Sequence, residues 1–250
     1  MKETILILVL GALLASNLAV AEDIGFPDEV DWKVSAYVWG MGIEGDAGIG
    51  DIVAPVDMNF SDILDMFRGG GSMIVRADQG AHAFTADISY FRLTPDDVLL
   101  PNNGGVLDVD IDIALVEAAY MHKWPTERGY WGLRGGLRYW DVEINMDLTG
   151  GPMDASRNEG DDWIDGIIGV GGMRLINDRW SMLWTADVGA GGSDSAYAAQ
   201  AVFQRKLNNG NLVSIGARYW SVDYESMAGD AGKFLFDVDM LGVLLCFTFD

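Results

Sequence analysis

Cysteine is almost absent: Cys246 is the only one, so no disulfide can form within the chain. Histidine is nearly as scarce, with only His82 and His122. Neither has a Ser-containing elbow to serve, and both fall at strand ends beside turns, so catalysis is not expected. Clusters of Lys and Arg are missing from a chain of net charge −22. Nucleic acid is therefore excluded as a partner, because neutralising phosphates needs such clusters. Beyond the first 21 residues no stretch approaches about 18 uninterrupted apolar residues, which excludes helical membrane spans. Yet 50% of the residues are hydrophobic. Soluble chains this acidic are poorer in apolar residues, and helical membrane proteins are much richer. A membrane β-barrel reconciles the two, with one apolar face per strand, a polar lumen and acidic loops.

The N-terminus supports export. Lys2 supplies a positive charge, Ile5 to Ala15 an apolar run, and Ala19-Val20-Ala21 a small-x-small cleavage site. Residues 1–21 are expected to be a cleaved signal peptide, and residues 22–250 a barrel domain in the bacterial outer membrane.

The rest of the chain alternates. Between 179 and 191, Trp180, Met182, Trp184, Ala186 and Val188 share one face, and Ser181, Leu183, Thr185 and Asp187 the other. Period two sends the first set to lipid and the second to the lumen. The same reading turns Phe84, Ala86, Ile88, Tyr90, Leu133, Leu137, Val213, Ile215, Leu241, Val243 and Leu245 outward. Strands are expected at 31–44, 70–79, 81–93, 106–122, 130–147, 161–176, 179–191, 194–206, 211–225 and 234–249. The fold class is thus all-β, an antiparallel up-and-down transmembrane barrel of about ten strands, with about twelve as the alternative. Short turns near 78–80, 125–129, 177–178 and 208–210 would face the periplasm, and the longer links the outside.

Residues 45–69 do not fit as a crossing, because the next strand would then start on the wrong side. They are expected to be an excursion over the outer mouth or into the lumen. Within it Ser61 to Phe67 reads as a short helix with Ser61 or Asp62 as N-cap, stopped by Gly69-Gly70-Gly71. One strand has a phase problem: Asp108, Asp110 and Asp112 share a face that Glu117 does not. Either a bulge near 114–116 restores the register, or the outer end stands above the membrane in water.

The segments Asp162-Trp163-Ile164-Asp165-Gly166-Ile167-Ile168-Gly169, Ala186-Asp187-Val188-Gly189-Ala190-Gly191-Gly192-Ser193-Asp194 and Gly216-Ala217-Arg218-Tyr219-Trp220 together resemble a family of uncharacterised bacterial outer-membrane β-barrel proteins. Val56-Asp57-Met58-Asn59-Phe60-Ser61-Asp62-Ile63-Leu64 resembles that family's strand-to-helix segment. The resemblance covers most of the chain after residue 21 and implies a barrel with no defined activity. Gly166 stands where the family usually has Pro, Gly171 where it usually has an inward Arg, and Asp250 follows the usual terminal Phe.

The inward charges are the candidate site. Phase places Arg76, Asp87, Arg134, Arg138, Asp165, Asp187 and Arg218 in the lumen. Buried charges are tolerated when paired, so the bland reading is a structural network that fills the barrel. The functional reading is a constriction selecting small solutes by charge. The acidic groups Asp96-Asp97, Asp108-Asp110-Asp112, Asp161-Asp162 and Asp237-Asp239 offer a second reading, an envelope protein that binds divalent cations or lipopolysaccharide. Their spacing is neither that of an EF-hand nor that of a nonapeptide repeat, so neither a metal site nor a cofactor is assigned. Trp32, Trp124, Trp131 and Trp180 are expected at the periplasmic interface, and Tyr90, Tyr139 and Tyr219 further along. Trp140, Trp163 and Trp220 are the candidates for stacking a sugar. Expected partners are outer-membrane lipid and lipopolysaccharide, and the barrel-assembly machinery through the C-terminal strand.

Overall fold

The computed structural model describes residues 27–50, 52–95, 98–100, 105–150, 155–227 and 233–249. The expected signal peptide, Asp96-Asp97 and Asp250 lie outside them. The elements run β1 (Asp31–Ile49), β2 (Ile52–Met58), α1 (Phe60–Met66), β3 (Phe67–Gln79), β4 (His82–Leu93), β5 (Val98–Leu100), β6 (Gly105–Thr126), β7 (Gly129–Thr149), β8 (Ala155–Asn177), β9 (Trp180–Gly191), β10 (Ser195–Lys206), β11 (Leu212–Ser226) and β12 (Phe234–Phe249). Sequential antiparallel pairing carries the sheet from β12 round to β1, and β12 pairs β1 from Val34–Phe249 to Ile49–Phe234, which closes it. The ring has ten strands. β2 folds back on the upper half of β1, and β5 lies beside β6. Closure removes most free edges; among the described residues, unpaired edges remain on these two short strands and on parts of β1, β8 and β11.

The outer surface explains why the sequence alternates. Val34, Val38, Leu133, Leu137, Ile164, Ile168, Ile215, Leu241, Val243 and Leu245 are all exposed there. At the near end, where β1 begins and β12 finishes, Trp32, Trp131 and Trp180 are exposed; further along come Tyr90 and Tyr197. Beyond that height the outward positions turn acidic: Glu44, Asp112, Asp141, Asp162, Asp223 and Asp239. An apolar band between aromatic girdles, then polar wall, is the pattern a bilayer selects.

Three expectations need correction. No bulge interrupts β6: its pairing with β4 and β7 is continuous through 114–116. Asp108, Asp110 and Asp112 point outward above the apolar band, while Glu117 points into the lumen. The helix N-cap is Asn59, neither Ser61 nor Asp62. Its side chain accepts from the backbone N–H groups of Ser61 and Asp62, and Asp62 accepts from the Asn59 N–H in return. The triple glycine does not end the helix. Phe67 already has extended backbone, and Gly69 to Gly71 belong to β3.

The segment after β1 is neither a cap on the mouth nor a plug in the lumen. β1 pairs β3 over Asp31–Tyr37 and β2 over Ile43–Ile49, so 38–42 has no strand partner on that edge. Helix α1 fills this seam in the wall. Ile63 is buried in the lumen's apolar cluster, with Met66 packed partly against it. Phe60, Leu64 and Phe67 are exposed on the other side. The Phe60 ring lies over Gly40, so close that a Cβ there would meet it at 2.8 Å.

Candidate functional site

A ring of ten strands is somewhat wider than the eight-stranded barrels whose interiors ordinary side chains just fill. Large inward residues are needed to close it, and the inward phase supplies them in three layers.

The far half is apolar. Trp39 and Met41 from β1, Leu115 from β6, Trp140 and Val142 from β7, Trp163 from β8, Trp220, Val222 and Tyr224 from β11, and Phe234, Phe236 and Val238 from β12 form one buried cluster. Trp163 stacks between Tyr224 (3.8 Å between centroids, 9° between planes) and Trp140 (5.9 Å, 13°). Trp220 meets Trp140 and Trp39 edge-on at 5.5 and 5.2 Å. Burial of rings this size is worth about 1.5–3 kcal/mol each. Trp140, Trp163 and Trp220 are 1%, 4% and 5% exposed, so none offers a face to a sugar.

Below the rings lies a charge layer. Glu117 of β6 accepts from Arg134 and Arg138 of β7, with Arg138 Nε at 3.0 Å. The same arginines reach Asp187 of β9, at 3.2 Å from Arg134 and 2.8 Å from Arg138. On the other side Arg218 of β11 donates to Asp87 of β4 across the lumen (2.8 Å), to the Tyr37 hydroxyl (2.8 Å) and to Gln200 (3.0 and 2.8 Å). The Tyr37 hydroxyl donates to Asp87 at 2.7 Å and lies 2.7 Å from Ser89 Oγ. Three guanidinium groups thus face three carboxylates, all buried. Such a layer persists only when every charge is matched, and here it is. Both Arg138 and Arg218 also sit under Trp220, at 5.2 and 4.8 Å from its centroid, which ties the two layers together.

Five of the seven candidate residues, Arg134, Arg138, Asp187, Asp87 and Arg218, meet in this layer. Arg76 lies nearer the near end, bonded to Asp78 and Tyr130, with Lys123 also on Asp78. Asp165 lies toward the far end and accepts from the backbone N–H and hydroxyl of Ser193, pinning the turn between β9 and β10. Glu117, Tyr37 and Gln200 join the layer without having been read as inward from the sequence, whereas period two already turned Ser89 inward with Asp87. Counting phase back from outward Tyr120, Ala118 and Val116 would have turned Glu117 inward.

The third layer is a cavity of about 370 Å³, reaching from Asp31, Lys33 and Asp78 at the near end up to Arg218 and Trp220. Polar groups such as Ser35, Thr85, Thr185 and Ser214 alternate on its wall with Ile74, Leu183 and Leu212.

Outside, carboxylates stand directly opposite one another across the far-end wall. Asp112 faces Glu143, Asp141 faces Asp162, Asp223 faces Asp237, and Asp239 faces Glu44. Partial burial, then Asp162 and Asp112, push the Asp141 carboxyl up; burial, then Asp237, Asp194 and Glu225, do the same to Asp223. Arg92 instead holds Asp112 below the ordinary carboxylate range. Among the described residues no group of three or more His, Cys, Asp or Glu side chains is arranged to hold a metal ion.

The chain matches no family model and no curated protein. Solved structures match it at low identity. Neisserial surface protein A is 12% identical at a TM-score of 0.33, covering 88% of this chain and 97% of its own. A Pseudomonas aeruginosa FadL homologue is 9% identical at 0.31, covering 88% and 90%. The Pseudomonas putida toluene transporter TodX is 11% identical at 0.34, covering 89% of each. No residue correspondence or activity passes from them to this chain.

Proposed function

We propose that the protein is an outer-membrane β-barrel plugged by its own side chains, a structural component of the cell envelope with a cup open to the periplasm. The observation that carries this reading is the pairing of Arg134, Arg138 and Arg218 with Glu117, Asp187 and Asp87 across the lumen, roofed by stacked rings. A charge-selective pore would need a wet path past those arginines. The near end, with its short turns, is assigned to the periplasm and the acidic end to the cell surface. The C-terminal strand, with Phe249 exposed at its end, is the segment the assembly machinery would bind. The test is swelling of proteoliposomes in small neutral and charged solutes. Swelling no faster than that of protein-free vesicles is expected, and solute entry would overturn the reading.

A second reading concerns the surface. The opposed carboxylates of the far-end wall repel one another, and divalent cations bridging them to lipopolysaccharide phosphates would relieve this. A chelator should then lower the melting temperature and lipopolysaccharide association. An unchanged melting curve and unchanged association would remove this reading.

A further inference from the structure

The apolar band has a concave stretch. Outside the barrel, across β3, β4 and β6, lies a groove of about 440 Å³. Its floor is made by small outward residues, Ala77, Ala86 and Ala118, and its walls by the rings of Trp32, Phe84 and Tyr120. Between β4 and β6 pairing sets Ala86 against Ala118 and Phe84 against Tyr120, while on β3 Ala77 lies opposite Phe84, so the small residues cross the strands on a diagonal. Much of the rest of the band presents Leu, Ile and Val; small residues recur at Ala186, Ala199, Ala201 and Ala217 on β9 to β11, without the histidine pair at their near end.

The near end of this groove is polar. His82 and His122, the only histidines of the chain, face each other across β4 and β6 with ring centroids 5.4 Å apart. His82 Nδ1 and the Tyr120 hydroxyl share a hydrogen bond of 2.6 Å. Trp124 stacks on Trp131 beside them. The adjoining turn and strand expose Arg128 and Arg174, against Glu127 on the same turn. An apolar slot ending in hydrogen-bond donors at the membrane interface has the polarity of one amphiphile lying along the wall. A second copy of the chain would need no imidazole pair at the edge of a dry contact.

We infer that the groove holds one phospholipid of the periplasmic leaflet, an acyl chain along Ala77, Ala86 and Ala118 and the phosphate-bearing headgroup at His82, His122 and Tyr120. The inference rests on the membrane placement proposed above. The test is native mass spectrometry of protein folded into mixed phosphatidylethanolamine and phosphatidylglycerol vesicles and extracted in mild detergent. Heat-shifted gel mobility reports folding separately; failure to fold into vesicles would sink the membrane placement itself. Folded protein is expected to keep one phospholipid, and Ala118→Phe, which fills the slot from outside, to lower that retention by about tenfold. With both histidines changed to Ala, phosphatidylglycerol should lose its advantage over a diacylglycerol of the same chains. Equal retention by wild type and Ala118→Phe in folded protein would overturn the inference. So would a wild-type dimer that Ala118→Phe dissolves, since the occupant would then be protein.

Discussion

Trp163 and Tyr224 stack face to face, 3.8 Å between centroids, although β9 and β10 separate their strands in the ring. The reason is that β9 and β10 are short. Their turn, anchored by Ser193 on Asp165, ends below the level of the rings. The flanking β8 and β11 therefore meet directly, and Tyr224 also donates to Asp161 of β8 at 2.8 Å. Trp163→Ala should cost about 3–5 kcal/mol, the usual cost of deleting a buried ring. Urea unfolding in lipid vesicles, followed by tryptophan fluorescence, measures it.

Glu117 is the hinge of the charge layer because two arginines depend on it. Glu117→Ala leaves both with Asp187 alone and should destabilise the barrel by about 3–5 kcal/mol. A double-mutant cycle with Arg138→Met should recover part of that loss, since the unpaired charge goes too. Additive losses would mean that the two side chains do not act as a pair.

Helix α1 replaces strand pairing in the wall, so its hold depends on Ile63. Ile63→Asp puts an unpaired charge into the apolar cluster and should release the helix while the ring stays closed. Hydrogen exchange should then rise in 59–67 and in 38–42 of β1, and remain slow in β7 and β8.

The acidic rim sets a pH dependence of definite sign. The folded-state values of Asp141 and Asp223 are raised, so the native state binds protons more readily than the unfolded chain. Their contribution favours folding below the ordinary Asp value and is lost as pH rises through the raised ones. Stability should therefore increase on mild acidification from neutral pH. Asp162→Asn and Asp237→Asn together should flatten that rise, as read by unfolding midpoints in vesicles across the pH series. Asp112, held down by Arg92, works in the opposite direction and should limit the rise.

The barrel was legible because lipid imposes a strict period. Leu241, Val243 and Leu245 against Gly242 and Thr248 could be read outward and inward from letters alone, and the structure agrees, with the first three exposed and Thr248 buried. The inward arginines were legible for the same reason. Their partners were not, because closure brings Arg218 of β11 to Asp87 of β4, residues 131 positions apart. Glu117 was hidden by reading phase from Asp112, which lies beyond the apolar band, covered by Arg92 and Tyr90, where alternation no longer reports lipid. The seam was hidden as well. A helix of seven residues in a barrel wall leaves no periodic signal in the strands on either side.

Single-channel conductance of the folded protein in a planar bilayer tests the plugged barrel most directly, with heat-shifted mobility confirming the fold. The paired arginines and the stacked rings predict a silent bilayer. Discrete, reproducible current steps from wild-type protein would contradict it.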